Sequence, residues 1–185
     1  MNKTSNVGYI LRLCLTLLAI CAVVAVLLAG VNAITEPRIA EINAEKTVQA
    51  IAAVLRDAAE AQPLDEFPDD TGMVKAVYAS PTGYAVQVAS PGFDAEIDMM
   101  VGVDLEGRVL GISVISHTET AGLGAVAAAQ TEKGKAFRSQ FEGQSGILAV
   151  AKDGGTIDAL TSATITSRAV TAGVNAALAC TGQLG

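Results

Sequence analysis

From position 13 to position 34 no residue is charged, and Leu, Val, Ile and Ala occupy all sides of the helix that such a run predicts. At 1.5 Å rise per residue, about twenty residues cross a hydrocarbon core roughly 30 Å thick. A buried soluble helix would keep a polar stripe, whereas only Thr16 and the thiols of Cys14 and Cys21 interrupt this one before Asn32. A cleavable signal peptide is the sharper rival, since Lys3 and Arg12 make a basic front end and Val31-Asn32-Ala33 is a passable cut. Its apolar region usually runs about 7–15 residues, which is shorter than this one. A lipidation cut before Cys21 is disfavoured by the bulk of Ile20. The pattern therefore predicts an uncleaved transmembrane helix over 13–34. Lys3 and Arg12 before the span are matched by Arg38 and Lys46 after it, so charge nearly ties. A tail of a dozen residues, 1–12, stays inside most easily. The expected topology is single-pass in the cell membrane, with the N-terminus cytoplasmic and residues 35–185 outside.

Beyond the span the period changes. Thr35-Glu36-Pro37 carries helix-start signals, a hydroxyl cap, an acidic first turn and a proline that needs no donor there. Ile39, Ile42, Val48, Ile51, Ala52 and Leu55 recur at three- and four-residue steps, predicting an amphipathic helix from 35 to about 61, within a leader segment 35–62. Residues 63–72, with Pro68-Asp69-Asp70, read as a surface loop that opens the domain at 63–185. Four short β-like runs follow at 74–79, 84–89, 96–103 and 109–116. Ser80-Pro81-Thr82-Gly83, Ser90-Pro91-Gly92 and the turn at 104–107 separate them. Connections this short make hairpins, because a parallel crossover needs a dozen or more residues. The rest predicts a short helix at 135–141, a strand at 148–151, a turn at Asp153-Gly154-Gly155, and a last helix to about 179 with Val170, Val174 and Leu178 on one stripe. The fold class is α+β: an N-terminal transmembrane helix, then a single domain with an antiparallel sheet and flanking helices.

Composition then removes several functions. The chain has 12 Lys+Arg against 19 Asp+Glu, for a formal charge of −7, and no basic run. Nucleic acid is therefore not an expected partner, since its affinity rests on Lys and Arg displacing counterions. With 3 Cys and 1 His there is no CxxC or ligand-spaced cluster, so no metal site is expected. No GxSxG turn accompanies His117, and no residue is assigned a catalytic role. The Met99-Met100 pair reads as core.

Two loops could carry chemistry. His117-Thr118-Glu119-Thr120-Ala121-Gly122-Leu123-Gly124 closes a strand, and Gly122, Gly124 and Ala127 also spell GxGxxA. That fingerprint belongs to a βαβ unit, and hairpins precede it here, so a chance match or a plain corner is the better reading. The second loop, Asp158-Ala159-Leu160-Thr161-Ser162-Ala163-Thr164-Ile165-Thr166-Ser167, is rich in hydroxyls where a helix starts. One or two would serve as N-caps; five of seven residues from Thr161 exceed what a cap uses. The free N–H groups and positive dipole end of a first helical turn suit a phosphate.

Asp158-x-x-Thr161-Ser162-Ala163-Thr164 resembles the flavinylation motif Asp-x-x-Ser/Thr-Gly-Ala-Thr of FMN-binding domains, in which the last Thr is joined to the FMN phosphate. The loop at 117–124 resembles the His-x-Glu-Thr-Pro-Gly-Leu-Gly segment of the G subunit of the Rnf electron-transport complex, which has a related domain in the C subunit of the sodium-translocating NADH:quinone reductase. The likeness covers nearly the whole chain. Ser162 stands where the family usually has Gly, and Ala121 where it usually has Pro. A serine would be strained there if the backbone needs positive φ.

The resemblance implies an FMN-binding domain whose FMN is bound covalently, as a phosphoester to Thr164. Thr161, Ser162 and Ala163 would be cofactor-binding. Asp158, with Thr161, Ala163 and Thr164, would form the signal read by a flavin transferase using FAD. Glu119, Thr120, Gly122, Leu123 and Gly124 would approach the flavin, Leu123 by apolar contact and Thr120 by a hydrogen bond. His117 is more simply a solvated or hydrogen-bonded side chain than a tuner of the flavin. The implied role is a redox subunit of an ion-translocating, ferredoxin:NAD+ oxidoreductase complex in the membrane, relaying electrons beside other membrane subunits and lipid. Two alternatives stay open: a free-standing extracytoplasmic flavoprotein reductase, and a membrane-anchored binding module with no redox role.

Overall fold

The computed structural model describes residues 3–184, in two compact units that divide between Ala44 and Glu45. Helix α1 (Lys3–Val54) is one continuous element, and the apolar side chains from Tyr9 to Ile34 are exposed on it. From Tyr9 onward it is long and apolar enough to cross a membrane.

The helix start expected at Thr35 is not a start. Residues upstream are already helical and supply the carbonyls that a first turn would lack, so no cap is needed. Pro37 sits inside the helix, where it takes its own N–H out of the helical ladder. The Asn32 side-chain amide donates to the Glu36 carboxylate at 3.4 Å across the supposed boundary. Of the expected apolar stripe, Ile51 and Leu55 are buried, together with Ala50 and Val54, while Ile39, Ile42, Val48 and Ala52 are exposed. Helix α1 ends at Val54 rather than near 61. Asp57 leaves the helical conformation, and its carboxylate accepts the Thr82 hydroxyl at 2.6 Å and the Thr82 N–H at 3.1 Å. That tether turns the chain toward the sheet.

The sheet runs β1 (Gln62–Pro63), β2 (Val74–Ser80), β3 (Gly83–Pro91), β4 (Glu96–Asp104) and β5 (Val109–Ser116), antiparallel throughout and in chain order. This is the α+β meander that the hairpin punctuation predicts. The first strand lies at the edge of the predicted loop; it is two residues paired with Tyr78 and Ala79, too short for any period to show.

Alternation decides which side of the sheet each residue serves. Val86, Val88, Ile97, Met99, Val101 and Val103 face the principal core under the last helix, α3 (Thr164–Thr181). Ala85 and Met100 face the other way, onto Ala50, Ile51, Val54 and Leu55. Met99 and Met100 are thus both core, on opposite faces. Burial of one such Val or Ile contributes about 1.5–3 kcal/mol. Glycine marks both close approaches: a Cβ on Gly102 would stand 2.6 Å from the Val54 carbonyl, and one on Gly173 would meet the Met99 methyl.

Helix α2 (Glu132–Ser139) begins three residues before its expected start, capped by Thr131, whose hydroxyl accepts the Gly134 N–H at 3.3 Å. No strand forms at 148–151. The Leu148 N–H and C=O are taken by the Asn175 side chain at 2.9 and 2.8 Å, and only a parallel bridge joins Val150 to Ile157. Gly154 makes the expected turn with φ 86°.

Candidate functional site

Two type II turns shape the site. The Ala163 N–H donates to the Leu160 carbonyl at 3.0 Å, which places Thr161 and Ser162 at the turn's centre. Ser162 has φ 61° and is the one non-glycine residue with positive φ among the described residues. Positive φ at the third residue alone defines a type II turn and favours glycine. The other turn has the same form: Leu123 N–H donates to the Thr120 carbonyl at 3.2 Å, with Gly122 at φ 77° and Ala121 in the position that favours proline. The two departures from the family motif therefore sit at the corners of two like turns.

The first turn is locked to α3 by Ser167. Its fully buried hydroxyl accepts the Leu160 N–H at 2.9 Å and donates to the Ala163 carbonyl at 2.9 Å. The N-cap, Ala163, has no side-chain acceptor, so the amides at the start of α3 have no side-chain cap. Thr164 opens the helix, half-buried, and its Oγ accepts a hydrogen bond from Lys152 Nζ at 3.0 Å. Lys152 lies in a 3-10 turn, Ala151–Asp153, pinned to α3 by Arg168. The Arg168 guanidinium meets the Asp153 carboxylate with both prongs, at 2.6 and 2.7 Å. That fork, aided by the nearby Lys152 charge, holds the Asp153 carboxyl below its ordinary value.

Glu119 joins the two loops. Its buried Oε1 accepts the Phe93 N–H at 2.6 Å and its Oε2 accepts the Thr166 hydroxyl. A Cβ on Gly92 or Gly124 would collide with this carboxylate, so both glycines make room for it. His117 is half-buried, and its Nδ1 is buried with no hydrogen-bond partner among the described residues, against a narrow space lined by Ile97, Val114 and Ala127.

Around these contacts opens a cavity of about 300 Å³ lined by Glu119, Thr120, Leu123, Gly124, Ser162, Ala163 and Thr164, with Phe93 and Ile165 adding apolar wall. An adjacent groove of about 760 Å³ shares Leu123 and Ser162 and adds Gly122, Asp158 and Thr161. Every residue that the resemblance assigns to FMN or its attachment lies on one of the two. Asp158 is exposed, and its backbone is clamped by the Gln140 amide, which accepts the Asp158 N–H at 2.7 Å and donates to its carbonyl at 3.3 Å. Sequence patterns do not single out Phe93 or Lys152. Phe93 and Lys152 reach the site only through the fold and carry no motif of their own, while Ser167 is legible as one more hydroxyl of the cluster. The donor set, a threonine hydroxyl beside an ammonium and a helix start, with apolar wall next to it, fits a phosphate-linked flavin.

Comparison with known proteins points to FMN binding. A family model described as an FMN-binding domain matches residues 92–179. The G subunit of the proton-translocating ferredoxin:NAD(+) oxidoreductase complex of Clostridium ljungdahlii is 33% identical over 96% of this chain and 95% of its own length. The chain belongs to this family of G subunits. The G subunit of the Na(+)-translocating complex of Acetobacterium woodii is 32% identical, covering 90% and 88%, and that of the ion-translocating oxidoreductase complex of Stutzerimonas stutzeri 34%, covering 89% and 77%. The FMN-binding match includes both loops around the cavity.

Proposed function

We propose that this chain is the membrane-anchored G subunit of an ion-translocating ferredoxin:NAD+ oxidoreductase complex, carrying electrons through FMN joined to Thr164. The observation that supports the attachment most is the Thr164 hydroxyl at the start of α3, on the rim of the cavity and beside Lys152. FMN supplies reversible electron uptake and release. The chain's own part is to hold and orient it. The uncapped first turn of α3 and the hydroxyls of Thr161 and Ser162 offer donors to a phosphate. Leu123, Phe93 and Ile165 offer apolar contact, and Thr120 and the Gly122 and Gly124 backbone border the same space. Glu119 spends both carboxylate oxygens on Phe93 and Thr166, so its role is to hold the wall rather than to touch the ring.

Residues 1–12 form a cytoplasmic tail in this reading, 13–34 cross the membrane beside lipid and the other subunits, 35–62 lead outward, and 63–185 make the extracytoplasmic domain. Asp158, exposed in its clamped loop, belongs to the signal read by a flavin transferase. The test is purification of the tagged chain from membranes. Co-purification of multispan subunits, with ferredoxin-dependent NAD+ reduction lost in an assembled Thr164→Ala complex, is expected. A chain that purifies alone yet reduces a soluble acceptor would make it a free-standing reductase instead.

A further inference from the structure

Lys152 lies outside the flavinylation motif, 12 residues before Thr164, yet the fold places its ammonium 3.0 Å from Thr164 Oγ. Among the described residues Lys152 forms no ion pair. Its neighbour Asp153 is spent on Arg168. Thr164 and Arg168 are one turn apart on α3, while Lys152 and Asp153 are adjacent in the 3-10 turn, so the two contacts form parallel rungs between these elements. The turn is held from behind as well. Ala151 N–H donates to the Ile157 carbonyl at 2.8 Å, and a Cβ on Gly155 would overlap the Ala149 carbonyl, so the backbone that carries Lys152 has little room to shift.

We infer that Lys152 is a positioning residue for flavin attachment: it orients the Thr164 hydroxyl and afterwards neutralises the phosphodiester formed there. The inference rests on the reading of Thr164 as the attachment residue. In that step Thr164 Oγ bonds to the FMN-side phosphorus of FAD, the pyrophosphate P–O bond breaks, and AMP leaves. The hydroxyl proton passes to AMP by way of solvent, and nothing is oxidised or reduced. The product places a negative charge where only a neutral hydroxyl stood, within reach of an ammonium that no carboxylate occupies. A charge-assisted hydrogen bond to phosphate is short and strong compared with a neutral one.

The test uses the full chain co-expressed with a flavin transferase, comparing wild type, Lys152→Met and Lys152→Arg by rate of mass gain and by the 31P resonance of the labelled product. Lys152→Met should be labelled roughly tenfold more slowly, Lys152→Arg close to the wild-type rate, and the phosphorus resonance should shift in Lys152→Met. Labelling of Lys152→Met at the wild-type rate, slowing that Lys152→Arg shares, or an unmoved resonance would each overturn it. The unlabelled variants should melt with the wild type, because Lys152 is exposed. A wild-type chain that gains no mass would count against Thr164 itself, not against Lys152.

Discussion

Glu119 and Thr166 stand 47 residues apart in sequence and meet through one buried hydrogen bond, the Thr166 hydroxyl donating to the Glu119 carboxylate. With the Phe93 N–H on its other oxygen, this carboxylate ties the β3–β4 turn, the loop after β5 and the start of α3 into one wall. Glu119→Ala removes the acceptor of the Thr166 hydroxyl, of the Phe93 N–H and of the weaker Asp94 N–H contact at 3.4 Å, and should cost about 2–4 kcal/mol. Glu119→Gln keeps an acceptor for Phe93, and the Thr166 hydroxyl can turn to accept, so it should cost about 1 kcal/mol. Denaturant unfolding of the two variants checks the order.

The two family departures should be reversible, and in the stabilising direction. Ser162→Gly relieves a left-handed serine at φ 61° and should add about 1 kcal/mol. Ala121→Pro fills the second position of a type II turn and should add about 0.4–1 kcal/mol through the unfolded state. Thermal melting of each variant would show a raised midpoint; a lowered one in Ala121→Pro would mean that the Ala121 N–H or φ is unsuited to proline.

Gly102 is where β4 meets the end of α1. A methyl there stands 2.6 Å from a backbone carbonyl, which cannot rotate away as a side-chain tip can. Gly102→Ala should destabilise by about 1–3 kcal/mol. Gly173→Ala meets the flexible end of Met99 and should cost less. Chemical denaturation of both variants compares the sites directly.

Acid should act on the Arg168–Asp153 rung in a defined direction. Asp153 has its folded carboxyl lowered by Arg168, so its stabilisation is complete above the unfolded value of about 3.9 and is lost as pH falls through the folded value. Wild type and Asp153→Asn should differ slightly in melting at neutral pH and converge once acid protonates Asp153 in the folded as well as the unfolded chain. The pair is exposed, so the difference is small.

The meander is legible in the sequence because turn residues punctuate it at every corner, and Asp104 to Val109 or Ser80 to Gly83 leaves no room for a crossover. The Gly-Gly-Ala fingerprint at 122, 124 and 127 carries no dinucleotide fold, since antiparallel strands precede it. The path after Val54 is not legible: Asp57 on Thr82 is a tertiary contact across 25 residues, and β1 forms where that contact delivers the chain to the sheet edge. The same holds for residues 148–151, where an apolar run reads as strand but Asn175 takes its backbone groups. At the site, the hydroxyl cluster points to a phosphate and the motif resemblance to Thr164, whereas Lys152 and Phe93 become visible only once the chain has folded around it.

The proposed role rests on Thr164 as the residue that carries FMN, and the intact mass of the chain co-expressed with a flavin transferase tests that residue directly, beside Thr164→Ala and Thr164→Ser. A gain equal to FMN minus water is expected in the wild type, and none in Thr164→Ala. No gain in the wild type, with the transferase active on a control substrate, would contradict the attachment, as would a gain that persists in Thr164→Ala.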